Sequence, residues 1–557
     1  MIMAVTEGEQ TMSITPQWIK LITEIPGRDH LGVQAISINL YGQLLPGITN
    51  LTQRIRYYSI YPWLLHHYAK RVGIKNREKW IQFLRKAEFL YGLSCLCENP
   101  SEPAVIGQRK ASKLLSGVED ESTKLKFSDY ADYQSPPSIR YFQNKSGGYG
   151  QYYLVAIESV DILNYPEYEL MENLTPLGSK LANAVDAVIP PRIIDNFFSS
   201  VEQGKVSKAD LTRFGEVLGL SKMNPQSHET DILKKRLFEG DMVSDYENTA
   251  RRESLLLFLA IADQMTGKGT LDVQNVRDII YARYLANGRL LKIAPQWHNI
   301  FEKWRCYLIG EYVHLALEVL FSALLDLLAN WQRRPPTVNE LLQEGIVRTT
   351  GCDGPNTLWG RGELKKQSWA ELSAKILKNA SSEKDWADES KISPRSLSMK
   401  MLEQNKDGSS AKAMSTAIGL IALMMEKHHS ENSLKEMYGA SGRMGKYFPD
   451  FNPLIIFKTL SRMSHEKCDK VLFVILKKFI IEKHIRVALT KLRYQNKGTF
   501  KFALEDGRLH WINSIVPTYT NPRLSSALQC LEDLKLVTLN PCVITPSGKL
   551  ILQDLIK

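Results

Sequence analysis

The chain has 557 residues, 44% of them apolar, and 71 Lys plus Arg against 60 Asp plus Glu, a net charge of +11. That length suits about three or four domains, and an apolar share of this size supports packed cores, which argues against a disordered or fibrous chain. The basic excess suits a polyanionic partner, most simply nucleic acid and by preference DNA; the plainer alternative is a merely basic surface.

The opening stretch, MIMAVTEGEQTMSITPQ, lacks a basic segment followed by an apolar run, so no secretion signal is expected. Seven scattered cysteines form no zinc pattern and suit reduced thiols in a cytoplasm. The longest apolar runs, around Val313–Leu328 and Val471–Ile481, are broken by Glu318 and Asp326 or by Lys477 and Lys478, so no membrane span is expected.

In chain order, a first helix is predicted from Thr15-Pro16, with Trp18, Ile19, Leu21 and Ile22 on its apolar face. Asp29 precedes a second, LGVQAISINLYGQLL, which Pro46-Gly47 ends. Thr49 or Asn50 is placed to cap a third, running to Val72 and kinked at Pro62; Trp80 to Leu96 reads as a fourth. Residues 100–150 read as short helices and loops. A pattern then recurs: an apolar-periodic helix, a short β-capable segment, and T-P-x-G-x-x-L opening another helix. It occurs at Thr175-Pro176-Leu177-Gly178 and again at Thr545-Pro546-Ser547-Gly548. This is the order of a winged helix, in which Thr caps the helix after the wing. The second copy is the clearer, with Leu524, Leu528, Leu531 and Leu534 on one face of its recognition helix and Arg523, Ser525, Ser526 and Gln529 expected to face outward.

The predicted fold is therefore mainly α and multidomain. Residues 1–190 form an N-terminal helical domain with a winged-helix-like end, and 191–345 a second helical domain. Residues 346–412, rich in Gly, Ser and Lys, are an irregular linker or insertion. A C-terminal helical domain, 413–557, ends in a winged helix.

The densest run of cations lies between 470 and 501, where Lys477, Lys478, Lys483, Arg486, Lys491 and Arg493 face few acids. With Arg523, Gln529 and Lys549 of the winged helix they are the predicted nucleic-acid contacts; partner docking is the competing use of such a module. A second basic and aromatic patch is formed by Arg54 and Arg56 among Tyr57, Tyr58, Tyr61 and Trp63, either clamping a single strand or lying in a kinked core helix.

Enzyme-like patterns are sparse. Asp353, Glu363 and Lys365 have the D…E-x-K spacing of an Mg²⁺-dependent nuclease, which needs the E-x-K on an apolar strand; LWGRGELKKQ has little β character. Glu311/His314 and Glu426/His429 are E-x-x-H pairs of the kind found in di-iron bundles, without assignable companions. Phosphate-loop, dinucleotide and zinc-protease signatures are absent, so neither cofactor nor metal is expected.

Two stretches, LGVQAISINLYGQLLPGITNLTQRIRYYSIYPWLLHHY and WRCYLIGEYVHLALEVLF, resemble segments of uncharacterised bacterial proteins encoded in phage-defence islands. The resemblance implies an accessory component of a multi-gene anti-phage system, of Druantia type, whose partners include a separate large helicase that supplies the motor. It carries no catalytic residues. The sequence thus points to a non-enzymatic, cytoplasmic nucleic-acid-binding or scaffolding subunit. A divergent nuclease centred on Asp353, Glu363 and Lys365, and a winged-helix transcriptional regulator, are the alternatives.

Overall fold

A computed structural model of the protein describes residues 29–73, 76–164, 171–238, 246–520 and 522–554. The helix expected at Thr15-Pro16 lies outside the described residues. The architecture is mainly α, as the periodicity predicts, with four small antiparallel strand pairs among the described residues.

The longest helix, His298–Ala329, organises the molecule; its 32 residues span about 48 Å. Its sequence is apolar on every side, so it has no solvent face and is buried along almost its whole length. Helices Ser410–His428, Pro394–Lys406, Gln34–Leu44 and Val338–Thr350 pack around it. Extended back to Pro295, it is the one described helix long and apolar enough to cross a membrane, yet 89% of its most apolar stretch is buried inside the protein. That apolarity makes the core.

Asp29 opens the described chain by accepting from the backbone N–H of Gln34 and Ala35, at 3.2 and 2.9 Å, which caps the helix Gln34–Leu44. The following helix starts at Tyr57, later than Thr49 or Asn50. Thr49 and Thr52 instead close a turn on each other, the Thr49 N–H donating to the Thr52 hydroxyl at 2.8 Å. Arg54 is then drawn into a buried ion pair. The stretch 346–412 is also more regular than its composition suggests. It contains helices Trp369–Asn379 and Pro394–Lys406, whose capping residues are Ser368 and Ser393. The serines mark helix starts and the lysines solvent faces, so a polar composition was compatible with order.

The repeated motif adopts one local structure twice. Thr175 accepts from the Gly178 N–H at 3.0 Å and donates to the Asp161 carbonyl at 2.7 Å; Thr545 accepts from the Gly548 N–H at 3.2 Å and donates to the Lys535 carbonyl at 2.8 Å. Asp161 and Lys535 have left-handed φ of 56° and 57°. A Cβ on Gly178 would lie 2.1 Å from the Ile162 carbonyl oxygen and one on Gly548 2.3 Å from that of Leu536, which explains both glycines. Between helix and Thr-Pro turn lie the ladders Leu163–Asn164 with Asn173–Leu174, and Val537–Leu539 with Cys542–Ile544, the latter pairing Val537 with Ile544. Buried apolar residues from Leu31 to Leu552 form one connected cluster.

Candidate nucleic-acid interface

The basic stretch forms one unbroken helical run: Cys468–Val474 in α form, Ile475–Ile481 with π spacing, and Glu482–Gln495 in α form again. Its apolar side, including Leu472, Ile475, Leu476, Ile480 and His484, is buried against the molecule. The π segment packs directly on the central helix. With that side anchored, Lys477, Lys478, Arg486 and Arg493 are left on the solvent side, and none of the four makes an ion pair among the described residues. Wide turns of this kind recur at functional sites, because one added residue re-aims the side chains that follow it.

Lys477, Lys478, Lys483 and Arg486 line a groove of about 370 Å³ whose floor is Phe451, Phe473, Val474 and Phe479 and whose rim carries Asp450 and Glu482. The ammonium groups sit over rings: Lys477 over Phe473 at 5.7 Å, Lys478 over Phe479 at 5.5 Å and Lys483 over Phe451 at 4.3 Å from the centroids. Burial pushes the Lys483 pKa down, and the Arg486 charge adds to this. A phosphate entering the groove would offset both effects.

Not every predicted cation is available. Lys491 is half-buried and donates to the Asp29 carbonyl, fastening the basic helix to the start of the described chain. His484 strengthens that link through the His30 carbonyl at 3.0 Å. Lys491 is a fastener in this structure, while Arg493 remains exposed with its guanidinium 5.4 Å from the Tyr494 ring centroid.

The expected recognition helix, Leu524–Asp533, presents its polar side only in part: Ser525 is exposed, as predicted, and the other three polar residues are engaged with protein. Its leucines are buried as predicted, but the helix packs on Tyr246–Met265 and Val273–Ala282. Arg523 donates to the carbonyls of Leu45 and Ile48 at 2.9 and 3.0 Å, Ser526 is buried, and Gln529 donates to Glu532 and Asp533 at 3.2 and 3.1 Å. One edge of the adjoining hairpin is occupied too, because the loop 267–271 bonds along it: Gly267 N–H to Cys542 at 2.9 Å and Leu271 N–H to Leu539 at 2.9 Å. Lys549 alone of that group is exposed. The outward-facing arrangement is therefore corrected for Arg523, Ser526 and Gln529, while Ser525 does face solvent: the carbonyls of the loop after Leu44 need donors that Arg523 supplies.

Arg54 and Arg56 are likewise enclosed, at 3% and 1% exposure, so of the two alternatives for this stretch the core helix holds and the single-strand clamp does not. Arg54 pairs with Glu102 and, at 3.0 Å, with Asp533; Arg56 reaches Glu229 at 3.6 Å. Tyr57, Tyr58, Tyr61 and Trp63 are buried around them.

The nuclease triplet lacks its scaffold. Glu363 and Lys365 lie on a short helix, Glu363–Lys366, entered through Gly362 at φ 74°, and not on a strand. Glu363 accepts from the Gly360 N–H at 2.9 Å, and Asp353 faces Arg361 at 3.6 Å. Glu311 and His314 belong to a buried network: the Ser37 hydroxyl donates to Glu311 at 2.6 Å and lies 3.2 Å from His314 Nδ1. In the other pair His429 is exposed, and its neighbour His428 is the buried one, 2.9 Å from the Tyr281 hydroxyl. Among the described residues no group of three or more His, Cys, Asp or Glu is placed to hold a metal ion.

Charge density in the sequence located four groove cations but not the groove. Phe473 and Phe479 fall on an apolar stripe and read as core, and Asp450 and Phe451 come from the loop before the next helix, Pro453–Arg462, which Asn452 caps. No protein family, curated protein or solved structure matches this chain.

Proposed function

We propose that this chain is a non-enzymatic, cytoplasmic nucleic-acid-binding or scaffolding subunit of a bacterial anti-phage complex, with DNA as the polyanion in the nucleic-acid reading and a separate helicase as motor. The observation that carries the reading is the solvent side of the helix 468–495, where Lys477, Lys478, Arg486 and Arg493 stand without ion pairs among the described residues. From 477 to 493 such a helix side extends about 24 Å, enough to follow several phosphates. The winged-helix order of 524–554 and the multidomain organisation belong to the same proposal. In it the C-terminal module is fastened to the segment 45–55 through Arg523 and Asp533 and does not read bases.

Binding of labelled DNA by the purified protein should weaken steeply with salt, since each neutralised phosphate releases counterions. Changing both Lys477 and Lys478 to Glu should lower affinity by about tenfold or more and flatten the log–log salt slope by roughly two. Salt-independent binding, or no binding, overturns the proposal. Glu363→Ala should leave DNA binding unchanged. Mg²⁺-dependent cleavage that this substitution abolishes would put a nuclease in its place.

A further inference from the structure

We infer that the groove beside the basic helix takes a single strand of nucleic acid, with an unstacked base on its floor and phosphates on its rim. The inference rests on the nucleic-acid reading and narrows it to a substrate class.

Three features of the groove separate a single strand from a duplex. The first is its shape. The site is concave and its apolar floor lies below the cations, whereas a duplex is convex and presents phosphates outermost. A duplex would meet Lys477, Lys478 and Arg486 and leave the floor empty; a flexible strand can lower a base onto it. The second is the floor's composition. Phe473 is half-buried with its ring lining the groove, backed by Phe451 and Phe479, whose centroids lie 6.0 Å apart. Aromatic floors bind bases with little regard to sequence, because every base has a π face. The third is the pair of carboxylates. Asp450 and Glu482 are both exposed on the rim, where they repel phosphate but accept from the amino groups of bases. A surface for phosphate alone gains nothing from carboxylates among its lysines. A site for a whole nucleotide uses the cations for the phosphate, the Phe473 ring for the base face once the Lys477 ammonium moves off it to a phosphate, and a carboxylate for the base edge. An acidic peptide also satisfies the cations, but it would set its own carboxylates against Asp450 and Glu482.

The test compares fluorescence anisotropy of the full chain with a labelled single-stranded oligonucleotide and with the duplex of the same sequence. Single-strand binding should be tighter by about tenfold. Phe473→Leu keeps the apolar volume and removes the π face. It should weaken single-strand binding about fivefold or more and leave duplex binding unchanged; Phe473→Tyr should restore it. Duplex binding as tight as single-strand binding, or Phe473→Leu weakening both equally or neither, overturns the inference while the nucleic-acid reading stands. Displacement by polyglutamate as effective as by unlabelled single strand also overturns it, since the groove would then read charge alone. Absence of binding to either nucleic acid, with Lys477→Glu and Lys478→Glu without effect, removes the broader reading.

Discussion

Glu318→Gln should stabilise the protein at pH 8 and above, and Glu311→Gln should destabilise it at neutral pH, although the two glutamates lie two turns apart on one buried helix. Burial pushes the Glu318 carboxyl up to about 8. Hydrogen bonds from the Gln34 amide at 3.0 Å and the Thr518 N–H at 3.3 Å offset this only in part. Burial also pushes Glu311 up, but the contact with His314 and the charge of Arg277, each 3.8 Å away, together with the Ser37 hydroxyl, outweigh burial and hold it at about 2. Between the unfolded value of 4.5 and about 8, the folded chain keeps a proton on Glu318 that the unfolded chain loses. Stability owed to that group therefore falls as pH rises through this window, by something on the order of 5 kcal/mol in total. A glutamine at this position does not titrate and has no such slope, so the advantage of Glu318→Gln should grow from pH 4.5 to about 8 and then level off. For Glu311 the sign reverses. Its contribution, on the order of 3 kcal/mol, is fully present above pH 4.5 and lost as pH falls toward 2. Denaturant unfolding of both variants across pH measures this. Parallel pH profiles would show that environment does not separate the two carboxyls.

Arg54→Ala should cost about 3–5 kcal/mol, because it leaves two buried carboxylates without a counter-charge. Arg54 bonds to Glu102 and to Asp533, which stand 48 and 479 positions away in sequence. Asp533 also accepts from the Ile55 N–H at 3.2 Å, so one carboxylate ties the C-terminal helix to both the side chain and the backbone of this segment. Charge burial without a partner is the costly state, so Arg54→Ala combined with Asp533→Leu should be less destabilising than the sum of the two single changes. Unfolding midpoints of the two single variants and the double measure the coupling. Simple additivity would mean that Arg54 and Asp533 do not act as a pair.

Local chemistry was legible wherever neighbours in sequence set the outcome. The apolar character of 298–329 on every side required a buried helix, since no side of it could face water. The two T-P-x-G turns required a Thr cap and a glycine against a carbonyl. Lys477 and Lys478 inside an apolar run had to face outward, because the single acid within helical reach, Glu482, could not neutralise both in a core. Cations with distant partners were not legible. Arg54 and Lys477 look alike as isolated residues, and only the fold brings Glu102 and Asp533 to one and solvent to the other. The same holds for Arg523, whose acceptors are the carbonyls of a loop more than four hundred positions earlier. Periodicity identifies the apolar face of a helix such as 524–533, but it does not say whether another element will cover the opposite face. That depends on which buried donors and acceptors the rest of the chain leaves unpaired, and tertiary structure alone decided it: the helix chosen for its outward polar side keeps only Ser525 exposed, and the basic helix beside Phe451 is the one left open.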